Sequence, residues 1–204
     1  MTTLANRRSA ILLFSLPDCL HSHRTRLVIK EKEITAEMYE IDKDNISQEI
    51  KEISPYDEFP TLVDRDLVLQ NSRVIIEYLD ERFPHPPLLP VDPVSRAKFR
   101  LALNKIEHQW YPEFSQAYQK GSLDPMFIEK IKAYFLEILP LISNKYFMSD
   151  DFGLVDCSLA PLLWRIKDLD IELSENKKAF LNYSERIFDR ESFQESLTET
   201  EKEI

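Results

Sequence analysis

The sequence predicts an α/β domain followed by an all-helical one. Three observations carry this. Short apolar runs alternate with helical patterns up to about residue 83, only helical patterns follow from about residue 94, and a proline-rich decade lies between. That decade, "PHPPLLPVDP", holds five of the chain's twelve prolines. The expected domains are residues 8–84 and 94–204, joined by a linker over residues 85–93.

In the first half, "AILLF" from Ala10 is a short apolar run that reads as a buried strand. "SLPDC" is a turn, and in "HSHRTRLVIKEK" the residues Leu27, Val28 and Ile29 mark a short helix. "AEMYEI" alternates like a second strand, and Ile46, Ile50 and Ile53 recur at helical spacing. "PTLVDRDLVLQ" reads as two short strands around a turn at residues 64–66. "NSRVIIEYLDERF" offers Ser72 as an N-cap and Val74, Ile75, Tyr78 and Leu79 as an apolar face. The order βαβαββα suits a four-stranded mixed sheet with helices packed on it.

The second half predicts helices only. "VSRAKFRLALNKIEHQWYPEFSQAY" is a long amphipathic pattern with a bend expected at Pro112. Asp124 before Pro125 is an N-cap followed by proline at the first helical position. "GLVDCSLAPLLWRI" is apolar on nearly all sides and predicts a central buried helix. Ser192 with Glu195 three residues later predicts a capping box.

Composition narrows the function. Forty-three per cent hydrophobic and thirty per cent charged residues describe a globular protein, and the apolar runs are too short to span a bilayer. "MTTLANRRSAILLFS" lacks a signal core with a cleavage site, and Cys19 and Cys157 show no pairing pattern, so a cytoplasmic location is expected. A net charge of −10 argues against direct, sequence-specific DNA binding. The charge is uneven. Residues 1–30 carry Arg7, Arg8, Arg24, Arg26 and Lys30 against Asp18, while residues 191–204 carry five glutamates against Lys202. Such asymmetry can steer a protein partner, although an acidic tail is commonly a solvated one.

Two stretches bear on chemistry. Cys19 opens the first predicted helix beside His21, His23 and Arg24, a setting that favours the reactive thiolate. His21 and His23, two apart on a helix, point away from each other, so no metal site is expected. Two glycines could scarcely build a phosphate loop. Trp110, Tyr111 and Phe114 at helical spacing are read as core, as are Trp164 and Cys157. The second stretch is the proline decade. Phe83, His85 and Pro86 each precede a proline, which predicts a preset polyproline-like segment over residues 84–87 with His85 held between prolines. A stiff segment loses little entropy on docking. Tyr78 and Phe83 are expected to support it.

These features together resemble the cytosolic glutathione S-transferase fold: a thioredoxin-like βαβαββα half, "FPTL" before the hairpin, a polar residue and Ser72 opening the next helix, and a helical second half. In that family the matching proline, Pro60, is cis, and "GLVD" matches the capping element of the buried helix, with Asp156 at N3 and Gly153 where serine or threonine is usual. A more specific resemblance is to the stringent starvation protein A family of RNA polymerase-associated regulators. It rests on "PTLVDRDLVLQNSRVIIEYLDERFPHPPLLPVDP", "VDCSLAPLLWR" and "NRRSAILLFS" and runs from about residue 5 to about residue 200.

The resemblance implies a non-catalytic dimeric scaffold of the starvation and stress response. It would bind RNA polymerase holoenzyme, core or sigma factor, through Pro84, His85, Pro86 and Pro87 with Tyr78 and Phe83, and need no cofactor. A homodimer is implied, with residues 78–82 and 94–108 contributing, and a heterodimer with a related chain is compatible. Pro60, Asn71 and Ser72 would be vestigial glutathione-site positions, Asn71 standing where the transferases commonly have an acid. The alternative is a glutathione-dependent thiol transferase using Cys19. Against it, Leu20 and His21 replace the proline and aromatic that follow the thiol in such sites.

Overall fold

The computed structural model describes residues 10–119, 125–142, 145–167 and 177–204. They form two compact units, Met1–Pro86 with Glu195–Ile204, and Pro87–Gln194. The second predicted domain ran on to residue 204. The last ten residues instead group with the first unit, through a buried polar cluster described below.

In the first unit the elements are β1 (Ile11–Ser15), α1 (Leu20–Glu31), β2 (Ala36–Glu40), α2 (Gln48–Ile53), β3 (Thr61–Asp64), β4 (Leu67–Leu69) and α3 (Ser72–Arg82). This is the βαβαββα order the patterns predict. The sheet runs β2-β1-β3-β4. Strand β1 pairs parallel with β2, Leu13 opposite Met38, and antiparallel with β3, Leu13 opposite Leu62. A central strand is covered on both faces, which is why β1 is apolar almost throughout and wholly buried, whereas the edge strand β2 is only half-buried and ends exposed at Glu40. Leu12, Phe14, Leu16 and Ile41 form one small core against which Ile46, Ile50 and Ile53 pack, so the isoleucine spacing read from the sequence does mark the inner face around α2.

With so few glycines, backbone in the left-handed region falls on other residues. Glu33 follows α1 at φ 52°, Arg65 turns the β3–β4 hairpin at 58°, and Asn71 precedes α3 at 71°. On α3 the buried apolar residues are Ile75, Ile76 and Leu79. Val74, expected on the inner face, is half exposed; the buried stripe is centred instead on Ile75, Ile76 and Leu79, and Ile76 takes the inner position expected of Val74.

The second unit holds α4 (Pro93–Lys105), a π-helical turn (Ile106–Trp110), α5 (Tyr111–Gln119), α6 (Pro125–Ile138) ending in a 3-10 turn (Leu139–Ile142), α7 (Leu154–Arg165), α8 (Lys177–Phe188) and most of α9 (Glu191–Ser196). Asp92 caps α4 by accepting from the Ser95 amide at 2.8 Å, with Pro93 in the first turn. The α-helical ladder gives way to the wider turn just ahead of Pro112, where the missing proline N–H cannot continue it. The Asp124 cap lies outside the described residues. Helix α7 is buried on every side except at Trp164, as predicted.

Asp156 organises the start of α7. Its Oδ2 accepts from the Gly153 amide at 2.9 Å, and its Oδ1 accepts from the Phe147 amide at 2.9 Å and the Tyr183 hydroxyl at 2.6 Å. A β-carbon on Gly153 would meet the Leu88 carbonyl at 2.9 Å, so the expected serine or threonine has no room there. All of Asp156's partners are neutral. Burial therefore dominates and pushes its carboxyl up to about 6. The capping box expected at Ser192 and Glu195 is instead at Thr198 and Glu201, opening α10 (Glu199–Lys202), because α9 already begins at Glu191.

Candidate functional site at the two ends of helix α3

Helix α3 begins beside the residues matched to a glutathione site. The Phe59–Pro60 peptide is cis, as the resemblance implied. Asn71, not Ser72, is the N-cap: its Oδ1 accepts from the amides of Arg73 at 2.9 Å and Val74 at 3.3 Å. Asn71 accepts the left-handed backbone that its position requires, and Ser72 becomes the first helical residue. Relieved of capping, the Ser72 hydroxyl receives Arg24 Nε at 3.1 Å and Nη2 at 2.5 Å, and lies 2.9 Å from His21 Nδ1. Arg24 is fully buried and Ser72 nearly so. The hydroxyl is engaged from within the chain.

Cys19 is the N-cap residue of α1, as expected of a helix-opening thiol. It is half buried and packs against the Leu12, Phe14, Leu16 and Ile41 cluster. The bases the sequence places beside it turn elsewhere. His21 and Arg24 face Ser72, and His23 lies 3.2 Å from Ser196 Oγ and 3.4 Å from Glu201 Oε1, fully buried. His23 and Arg26 tie the chain's last residues to α1. Arg26 meets Glu201 at 2.5 Å and donates to the Ser196 carbonyl at 2.9 Å and the Leu16 carbonyl at 3.0 Å. An acidic stretch such as residues 191–204 is commonly a solvated tail. Glu201, completely buried, is the counter-charge that overturns this.

The other end of α3 leads into the proline decade. Pro84, His85, Pro86 and Pro87 are all exposed, and Phe83, the C-cap, is half buried under the Arg82 guanidinium at 5.3 Å. The His85–Pro86 peptide is cis, which a continuous polyproline II segment excludes, since that helix is built of trans units. Tyr78 does not reach the loop. Its hydroxyl donates to Asp64 Oδ2 at 2.6 Å, and burial, then the Asp64 carboxylate, raises its pKa above the ordinary 10.0. What holds the loop is Lys32, whose ammonium donates to the Pro86 carbonyl at 2.6 Å and to Asp80 Oδ1 at 2.7 Å. No sequence spacing announces that contact, which joins residues 54 apart.

In the second unit Trp110, Tyr111 and Phe114 are core residues, as read. A cavity of about 460 Å³ is walled by Leu101, Ala102, Ile106, Trp110, Leu141 and Phe147, with Lys105 paired to Glu137 at its edge. On the same helix, Val94 and Leu101 are exposed. Among the described residues no group of three or more histidine, cysteine or acidic side chains could hold a metal, and no helix is long and apolar enough to cross a membrane.

Known proteins place the chain in context. Residues 13–87 match the glutathione S-transferase N-terminal domain and residues 101–191 the C-terminal domain. The chain is 46% identical over 201 residues to the stringent starvation protein A homologue of Pasteurella multocida, covering 97% of this chain and 94% of that one. It is 47% identical over 203 residues to the homologue of Histophilus somni, covering 98% and 95%. Among solved structures, glutathione transferase Omega 3C from Trametes versicolor superposes with a TM-score of 0.82 at 21% identity, covering 96% of this chain and 88% of that one. A likeness of that kind shows the fold alone.

Proposed function

Since the chain belongs to the stringent starvation protein A family, built on the glutathione S-transferase fold, we propose that it is a non-catalytic regulator that binds RNA polymerase holoenzyme. The observation that carries this reading is the loop after α3, where an imidazole stands exposed between prolines while the chain is anchored beneath it. In this reading Pro84, His85, Pro86 and Pro87 form the contact, and Phe83 backs them. The protein works in the cytoplasm as part of a starvation response.

The absence of transferase activity belongs to the same proposal. A serine at the start of α3 serves a glutathione site by offering its hydroxyl to the ligand, and here Arg24 and His21 engage that hydroxyl. Pro60, Asn71 and Ser72 are then remnants of a site rather than a working one. A homodimer is the assembly we propose. Exposed Val94 and Leu101 on α4 and the apolar cavity beside them support it, since apolar surface of this kind is commonly covered by a partner.

The test is paired. Replacing Pro84, His85 and Pro86 together by alanine is expected to shift stability by about half a kcal/mol. It is expected to weaken holoenzyme binding by about thirtyfold, the loss of one hot spot. Melting and dimer mass report integrity, and interferometry against purified holoenzyme reports binding. Unchanged affinity in the folded variant overturns the contact assignment. Turnover of glutathione with a chloro-dinitro-aromatic or disulfide substrate that vanishes in Cys19→Ser overturns the non-catalytic reading.

A further inference from the structure

The segment from Pro84 to Pro87 has an unusual backbone inventory. Three of its four residues are prolines and lack an N–H, so His85 supplies the segment's single backbone donor. Such a segment cannot be held by a ladder of its own amides. Apart from that one amide, it is held through its carbonyls, by donors brought from elsewhere. The carbonyls further along are held in this way within the second unit: the Leu154 amide donates to Leu88 at 2.9 Å and Arg96 Nε donates to Pro90 at 2.8 Å.

In the first unit the donor is Lys32. Its side chain is completely buried, a rare condition for lysine, and the cost is met by Asp80 at 2.7 Å. One carboxylate neutralises the ammonium but does not use all three of its protons. Another goes to the Pro86 carbonyl at 2.6 Å. Lys32 itself is fixed by its place as the C-cap of α1, where its own amide still bonds back to Val28, and Asp80 by its place in the last turns of α3. The carbonyl next to His85 is thus held by a charge that two packed helices position.

We propose that Lys32, paired with Asp80, is the positioning residue of the displayed loop: it fixes the backbone beside His85 so that the imidazole meets its partner preordered. This rests on the reading of residues 84–87 as the polymerase contact. The ammonium suits the task for two reasons. A charged donor holds a carbonyl more strongly than a neutral one. Its burial also keeps water from competing for the carbonyl from that side. The loop's display then depends on a pair 48 residues apart in sequence that never touches the partner.

The experiment uses the full chain and the variant Lys32→Met/Asp80→Leu, which removes both charges, with methionine matching lysine in volume and leucine somewhat larger than aspartate. Exchanging a buried pair for apolar residues of similar size commonly leaves a fold intact. The His85 amide order parameter is expected to fall from about 0.85 to below about 0.6. Holoenzyme affinity is expected to fall on the order of tenfold, the cost of ordering the loop on binding. An unchanged order parameter and affinity in the folded variant overturn the inference. They do so without touching the functional reading, provided the alanine triple variant still loses binding; if the triple variant binds normally, it is the reading that fails. The wild type supplies a measurement independent of any variant's folding. The Lys32 ammonium protons are expected to exchange slowly enough for direct nitrogen-15 detection, and rapid exchange overturns the anchoring.

Discussion

The two ends of helix α3 are built from the same parts to opposite effect. At the N-terminal end Arg24 of α1 reaches Ser72; at the C-terminal end Lys32 of α1 reaches Asp80. Each pair is 48 residues apart, so the two contacts stand two helical turns from one another along both helices. At the first end the cation engages a buried hydroxyl. At the second it engages a carbonyl from below and leaves the side chain above exposed. In the proposed function the first cation closes a site and the second presents one; the contacts differ in that Arg24 ends on a hydroxyl, whereas Lys32 spans a carboxylate and the Pro86 carbonyl beyond the helix.

The largest expected effect breaks the second end. Lys32→Met alone takes the ammonium from Asp80 while leaving the carboxylate buried, and is expected to cost about 3–5 kcal/mol in urea unfolding. Restoring near wild-type stability by adding Asp80→Leu is the outcome that assigns this cost to the charge rather than to packing.

Asp156 sharpens the comparison, because it is a buried carboxylate surrounded by neutral donors instead of a cation. Its pKa rises from 3.8 in the unfolded chain to about 6 in the fold. Between those values the folded state binds the extra proton, so this group's contribution to stability falls as pH rises through the window and is level above it. Relative to Asp156→Asn, the wild type is expected to lose about 2–3 kcal/mol between about pH 4 and about pH 7. Urea midpoints at the two pH values measure it, and a constant difference contradicts it.

Next comes the first end. Arg24→Met leaves Ser72, a neutral group, with less of its hydrogen bonding, and is expected to cost about 1–3 kcal/mol, less than Lys32→Met. An equal cost removes the distinction between the two ends. The smallest effect concerns the cap between them. Asn71→Ala loses the hydrogen bonds to Arg73 and Val74 and keeps the left-handed backbone, for about 1–2 kcal/mol in thermal melting. Asn71→Gly, free of the backbone penalty, is expected to cost only a few tenths.

Much of this was legible without coordinates. Period-two and helical patterning gives the first seven elements, β1 to α3, in order, and the all-round apolarity of "GLVDCSLAPLLWRI" marks α7 as central. Asp156 at N3 was legible too, because caps are local. The misreadings were also local ones, resolved by contacts at a distance. Ser72 and Asn71 are both good caps, and position in the apolar pattern favours Ser72. The left-handed φ of Asn71 and the reach of Arg24 settled it. Ser192 and Thr198 each start an S/T-x-x-E pattern, and the start of α9 at Glu191 chose the second.

What the sequence determined by itself was therefore whatever depends on neighbours a few residues apart: strands, helices, caps, and the proline run that stiffens residues 84–87. What the tertiary structure alone decided was the fate of the charges. Nothing local in "RTRLVIKEK" distinguishes Arg24, which engages Ser72, from Arg26, which binds Glu201, or from Lys32, which carries the loop. Each is buried, and a buried charge is tolerated only where the fold brings it a partner. For these three the partners lie 48, 175 and 48 residues away, beyond any spacing rule.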